Sequence, residues 1–223
     1  MRKTKIGLSV ASLAATAALS TTALAQTPEV IYNNAEQDNY LGLRTDVLNG
    51  EVGDVVTFTP GSGRILTEFA FEYFASDNLS GNETAEVFIY DVNESFVPGE
   101  ILYQSGSFAL DSGFNSRFFD TFVTVGDSAA WTVVFSGFEG DEDAGLLFYN
   151  PPTAGSSPLF PDQDGIPRDF SLRRNGDGSF AYFDTTGVAD NLSARFTAVP
   201  EPTTWALILG GLAGFGLLRR RKA

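Results

Sequence analysis

The sequence predicts an all-β body, a two-sheet β-sandwich with jelly-roll-like connections, set between two apolar ends. Three observations carry that expectation. Apolar residues recur at every second position in short runs, and Gly, Asp, Asn and Pro interrupt the runs. No window of the body sustains a helical period. Twenty phenylalanines among 223 residues supply bulky core material, and the irregular spacing between runs suits long crossing connections.

The elements follow in chain order. Residues 67–74 (TEFAFEYF) place Phe69, Phe71 and Tyr73 on one face and Glu68 and Glu72 on the other, the mark of a strand buried on one side. Residues 86–92 (EVFIYDV) set Val87 and Ile89 against Phe88 and Tyr90. In 117–125 (RFFDTFVTV), Phe119, Thr121, Val123 and Val125 oppose Phe118, Asp120, Phe122 and Thr124, with aromatic rings on both faces. Trp131, Val133 and Phe135 alternate with Thr132 and Val134, and Leu192, Ala194, Phe196 and Ala198 mark a final strand. Shorter runs at 55–59, 101–110, 145–149, 170–173 and 180–183 bring the expected total to about eight to eleven strands. The final strand runs straight toward Pro200, so the tail is expected to leave from the edge of the sandwich. The stretch 150–167 carries Pro151, Pro152, Pro158, Pro161 and Pro167. It reads either as a binding lid or as a stiff connection across one end of the sandwich.

At the N-terminus, Arg2, Lys3 and Lys5 precede a small-residue apolar core at 6–19. Ala23-Leu24-Ala25 has the small-x-small form that a signal peptidase cleaves, which makes Gln26 the first mature residue. Residues 1–25 are therefore expected to be a signal peptide, with the secretory translocon and signal peptidase as partners.

At the other end, Val199 leads into Pro200-Glu201-Pro202, then an apolar, glycine-rich run at 205–218, then Arg219, Arg220, Arg221 and Lys222. The run falls short of the roughly 20 residues that span hydrocarbon unaided, but Thr203 and Thr204 are tolerable flanks and Trp205 suits an interface. A transmembrane helix is expected at about 204–218. The basic cluster at 219–222 stops it on the cytoplasmic side and leaves the body outside the cytoplasm. Two prolines around a carboxylate cannot continue a helix, so they hold the chain extended beside the bilayer, where a processing enzyme can grip it.

This order resembles the PEP-CTERM sorting signal of Gram-negative bacteria, over 199–223, about a tenth of the chain. The resemblance implies recognition by an exosortase, a membrane-embedded cysteine protease or transpeptidase, in bacteria that make exopolysaccharide. A permanent C-terminal anchor is the plain alternative. The body, 26–198, resembles bodies that precede this signal, through 64–74 (RILTEFAFEYF), 98–106 (PGEILYQSG), 131–137 (WTVVFSG) and 145–157 (GLLFYNPPTAGSS). That likeness implies an exported, β-rich surface protein and no assigned activity.

Composition narrows the chemistry. All 28 acidic residues fall within 26–202, against seven arginines and no lysine, a surplus of 21 negative charges. Such a body repels nucleic acid, whose binding rests on phosphate neutralisation. The absence of histidine removes Ser-His-Asp triads and His-ligated metal sites. The absence of cysteine means that the body folds without disulfides. No carboxylate pair stands out for hydrolytic chemistry, so no catalytic residue and no enzyme activity are expected. Asp141, Asp143, Asp162, Asp164 and Asp177 lie in acidic turns of the kind that hold calcium, although none completes an EF-hand loop and such turns need Asp for their own geometry. No other cofactor is expected.

Two functional readings remain open on the sequence. One is a surface or matrix structural protein, sorted at its tail and held with exopolysaccharide. The other is a carbohydrate-binding module that stacks sugars on exposed aromatics such as Tyr103, Tyr149 or Phe160.

Overall fold

The computed structural model describes residues 27–35, 40–44, 49–62, 64–149, 151–161, 167–168, 171–183 and 191–200. Sixteen strands and no helix occur among them. In chain order they are Glu29–Asn33 (β1), Tyr40–Arg44 (β2), Glu51–Thr57 (β3), Ile65–Ala75 (β4), Thr84–Val92 (β5), Pro98–Gln104 (β6), Phe108–Ala109 (β7), Gly113–Thr124 (β8), Ser128–Ser136 (β9), Ala144–Tyr149 (β10), Phe160–Pro161 (β11), Pro167–Arg168 (β12), Ser171–Arg174 (β13), Phe180–Phe183 (β14), Asn191–Leu192 (β15) and Ala194–Val199 (β16). Two antiparallel seven-stranded sheets hold fourteen of them. The first runs β1-β16-β4-β10-β15, with β8 on β4 and β2 on β10. The second runs β14-β13-β3-β9-β5-β6, with β7 on β5.

The expected alternation places the core. Phe69, Phe71 and Tyr73 of β4 and Phe196 of β16 point inward from the first sheet and are fully buried. Val87 and Ile89 of β5, with Trp131, Val133 and Phe135 of β9, point inward from the second. The two sets meet at Trp131, whose ring centroid lies 5.3 Å from Phe69 and 6.0 Å from Phe71. Phe196 packs 4.8 Å from Phe69 and 5.3 Å from Phe58. Each such ring contributes on the order of 1.5–3 kcal/mol by leaving water. A smaller apolar cluster, Val55, Tyr90, Ala130 and Leu172, has Phe180 and Tyr182 packed against it.

The structure differs from the expected strand list in three ways. Sixteen strands replace eight to eleven, because β1, β2 and several two-residue ladders carry too little alternation to stand out. The final strand is broken at Ser193: β15 pairs with β10, whereas β16 pairs with β1 and β4. β16 therefore lies inside its sheet rather than at the edge. Third, β3 begins at Glu51 and includes Gly53 and Asp54, ahead of the expected run at 55–59. Asp54 is fully buried, and its carboxylate accepts the N–H of Val55 at 2.7 Å and of Leu192 at 3.3 Å.

Residues 151–159 of the proline-rich stretch are tied to the sandwich. Thr153 N–H donates to Asn33 at 2.7 Å, and Ser156 and Thr57 exchange backbone bonds at 2.7 and 2.9 Å. Gly155 sits at φ +71°, where a side chain would meet the Thr57 carbonyl at 2.6 Å. This part of the stretch is a connection stitched to the sandwich rather than a lid.

The turn before β5 rests on a buried carboxylate. Glu83 accepts backbone N–H bonds from Ser80 and Gly81, both at 2.8 Å. Burial pushes its carboxyl up, but the hydrogen bonds, chiefly those from Ser80, outweigh burial and hold it at about 2 instead of 4.5. The unfolded chain takes up this proton near 4.5 and the folded chain only near 2. The stabilisation is therefore complete above 4.5 and drains away as pH falls between those values. Glu83→Gln is expected to flatten the acid limb of stability against pH in that window, read by urea unfolding at stepped pH. An unchanged acid limb would show that the unfolded chain holds this carboxyl equally low.

Candidate functional site

The outer face of the first sheet carries the most distinctive surface among the described residues. Among the described residues β8 is an edge strand, paired with β4 alone. Its inward residues, Phe119, Thr121 and Val123, meet the core side. Its outward residues include Phe114, Phe118 and Phe122, exposed at 66%, 60% and 72%. Phe122 also adopts φ +50°, where a bulky residue is strained. It sits at a register shift, where Thr121 and Phe122 together face Thr67 of β4. Among the described residues only Phe114 has an aromatic neighbour on this face, Phe74 at 5.1 Å.

Register sets the surroundings of Phe118. Ala70 of β4 pairs with Phe118 on one side and with Arg195 of β16 on the other. One residue pair along, Glu72 of β4 faces Ser116 of β8. Because Ala70 is small, its row dips, and a groove of about 110 Å³ opens between Phe118, Arg195, Glu72 and Ser116. Glu72 is clamped from beneath: its Oε2 accepts Tyr149 Oη at 2.8 Å and buried Ser193 Oγ at 2.9 Å. Among the described residues its Oε1 accepts only a long bond from Ser116 Oγ, 3.3 Å, and keeps room for another donor. The Arg195 guanidinium, half-buried beside it, makes no hydrogen bond or ion pair among the described residues.

The aromatics singled out on sequence are elsewhere. Tyr149 is 2% exposed and serves as a prop for Glu72 rather than a platform. Tyr103 packs against the core, its ring 6.5 Å from Phe119, and burial followed by the Asp120 charge pushes its phenol up. The Phe160 side chain lies outside the described residues. The exposed aromatics that sequence reading missed are Phe114, Phe118 and Phe122, with Ser116 and Asp120 between them on the same face; their four-residue spacing is the signal that could have found them.

Several groups of the acidic turns are bonded locally, among them the carboxylates of Glu142 and Asp177. Glu142 accepts Gly140 N–H at 2.6 Å, Asn78 Nδ2 donates to the Asp141 carbonyl at 3.1 Å, and Asp143 N–H donates to Ser76 Oγ at 2.9 Å. Asp177 accepts both the N–H and the hydroxyl of Ser179, at 2.9 and 2.6 Å, which holds its carboxyl below the usual range. Among the described residues no three acidic side chains converge as metal ligands. Asp162 and Asp164 lie outside them.

At the C-terminal junction, β16 is held on both sides. Ala198 pairs with Glu29 of β1 and Leu66 of β4, and Val199 pairs with Ile65. Ala198 is fully buried, and Pro200 is exposed immediately beyond. The model of the PEP-CTERM protein-sorting motif matches residues 198–222. The chain carries a PEP-CTERM sorting motif. That motif implies export and exosortase processing, and it begins inside the folded body, on the last buried residue of β16. Of the PEP-CTERM residues, Pro200 is described; Glu201, Pro202 and the Arg219 to Lys222 cluster lie outside the described residues, as do Ala23, Ala25 and Gln26. No curated protein and no solved structure matches the chain.

Proposed function

We infer that the chain is an exported surface protein whose acidic β body, 26–198, is delivered by its PEP-CTERM signal and held with exopolysaccharide outside the cell. The sorting-motif match over 198–222 carries this reading. Residues 1–25 serve as a cleaved signal peptide. A helix at about 204–218 parks the chain in the inner membrane until an exosortase acts near Pro200-Glu201-Pro202. The body is jelly-roll-like and acts as a non-catalytic spacer; the absence of histidine and cysteine supports that role. A calcium ion at the acidic turns would add rigidity without changing it.

Intact-mass measurement of the protein recovered from its producing cells tests both ends at once. The expected species starts at Gln26 and ends close to Pro202. In a strain lacking the exosortase, or carrying Pro200→Ala with Glu201→Ala, a membrane-bound form that retains Ala223 should accumulate. Retention of Ala223 in the unmodified strain would make the tail a permanent anchor. A second reading, carbohydrate binding through exposed aromatics, is favoured by the Phe118 groove.

A further inference from the structure

We propose that the groove between Phe118 and Arg195 on the outer face of the first sheet binds an extended, uncharged polysaccharide chain. This rests on the reading of an exported protein held among polysaccharide, and it assigns the contact to particular residues.

Three features of the groove select that ligand. The first is the aromatic face: Phe118 is largely exposed on β8 and has no aromatic partner among the described residues, so its ring can take the axial C–H face of a pyranose by apolar contact. The second is paired polarity. Glu72, immobilised by Tyr149 and Ser193, offers Oε1 to a sugar hydroxyl, and the Arg195 guanidinium offers donors to sugar oxygens. A few fixed polar groups around an apolar surface are the usual composition of a small-molecule site. The third is charge. One carboxylate and one guanidinium leave the groove near neutral, while the body around it carries a surplus of 21 negative charges and repels polyanions. A uronate polymer therefore fits poorly, and a neutral one fits.

The length of the ligand follows from the strand. Phe114 and Phe118 are four residues apart in the unbroken register of β8, which on an extended strand is roughly 13 Å between the two rings. A single sugar reaches one ring; a chain lying along β8 reaches the next. The same charge surplus opposes the other occupant of such a face, a second copy of this chain pairing along the β8 edge.

Affinity electrophoresis of the full chain, in a detergent with a polyoxyethylene rather than a sugar headgroup, tests the proposal. Hydroxyethylcellulose and galactomannan serve as neutral probes and alginate as the polyanion. The chain should be retarded by at least one neutral polymer and not by alginate. Phe118→Ala should weaken retardation about tenfold, as expected for loss of one aromatic contact, and Glu72→Gln and Arg195→Gln should each weaken it too. All three side chains lie on the outer face, and an unchanged Tm confirms that each variant is folded. Absence of retardation by either neutral polymer, or retardation untouched by Phe118→Ala, overturns the proposal. Concentration-dependent dimerisation without sugar, abolished by Phe118→Ala, would assign the face to a second copy instead. Tail processing in cells separates this from the sorting reading: Phe118→Ala should be exported and trimmed as the unmodified chain is, whatever happens to sugar binding.

Discussion

Replacing Gly53 with alanine is expected to cost about 3 kcal/mol or more, roughly 6–12 °C in Tm for a chain of this size. A Cβ at this position would lie 1.8 Å from the Trp131 carbonyl oxygen and 2.6 Å from Thr132 Cα, both backbone atoms of the paired strand β9. Neither can move aside like a side chain. Relief would require β3 to separate from β9, and Trp131, the ring at the middle of the core, would move with it. Differential scanning calorimetry of Gly53→Ala checks the effect. A loss below about 1 kcal/mol would mean that β3 and β9 part more easily than their continuous register from Glu51 to Thr57 suggests.

Removing the Glu51 carboxylate is expected to be nearly as damaging. Glu51 is buried in β3 and binds three other strands: Tyr90 Oη of β5 and Thr132 Oγ1 of β9 donate to its Oε1, each at 2.7 Å, and Arg174 Nη1 of β13 donates to Oε2 at 3.1 Å. Burial, then the Glu51 carboxylate, push the Tyr90 phenol well above its usual range, so it remains a donor at any ordinary pH. Glu51→Ala leaves two hydroxyls without their acceptor and should cost about 3 kcal/mol by urea unfolding. Arg174→Met removes only a partly exposed partner and should cost about 1 kcal/mol or less. Equal losses for the two variants would place the energy in the ion pair instead of the hydroxyl bonds.

The same two residues show where sequence reading reaches its end. Strong alternation made β4, β5, β8, β9 and β16 legible, since a period of two with large apolar residues leaves few other structures. Glu51, Gly53 and Asp54 were illegible as strand because their burial depends on partners distant in sequence: Arg174, Trp131 and Leu192. For β8 the period was readable but not its sense. Both faces carry phenylalanine, and nothing local says that Phe119 goes to the core and Phe118 to water. The answer lies in β4, where Glu68 and Glu72 had already claimed the outer side. Tyr149 invited the opposite error: an aromatic near a turn looks available, yet Glu72 captures its hydroxyl. The PEP-CTERM signal was readable outright, because its recognition depends on the order of local segments rather than on folding.

The placement of β16 between β1 and β4 also sets how the body answers a pull. A pull applied at Pro200 along the axis of β16 would run across the ladders to Glu29–Asn33 and Ile65–Ala75. The bonds are thus strained together in shear, and cannot be unzipped one after another as they would be from a sheet margin. A cell-surface protein held by this end would meet flow with its tether fastened to an interior strand laced on both sides.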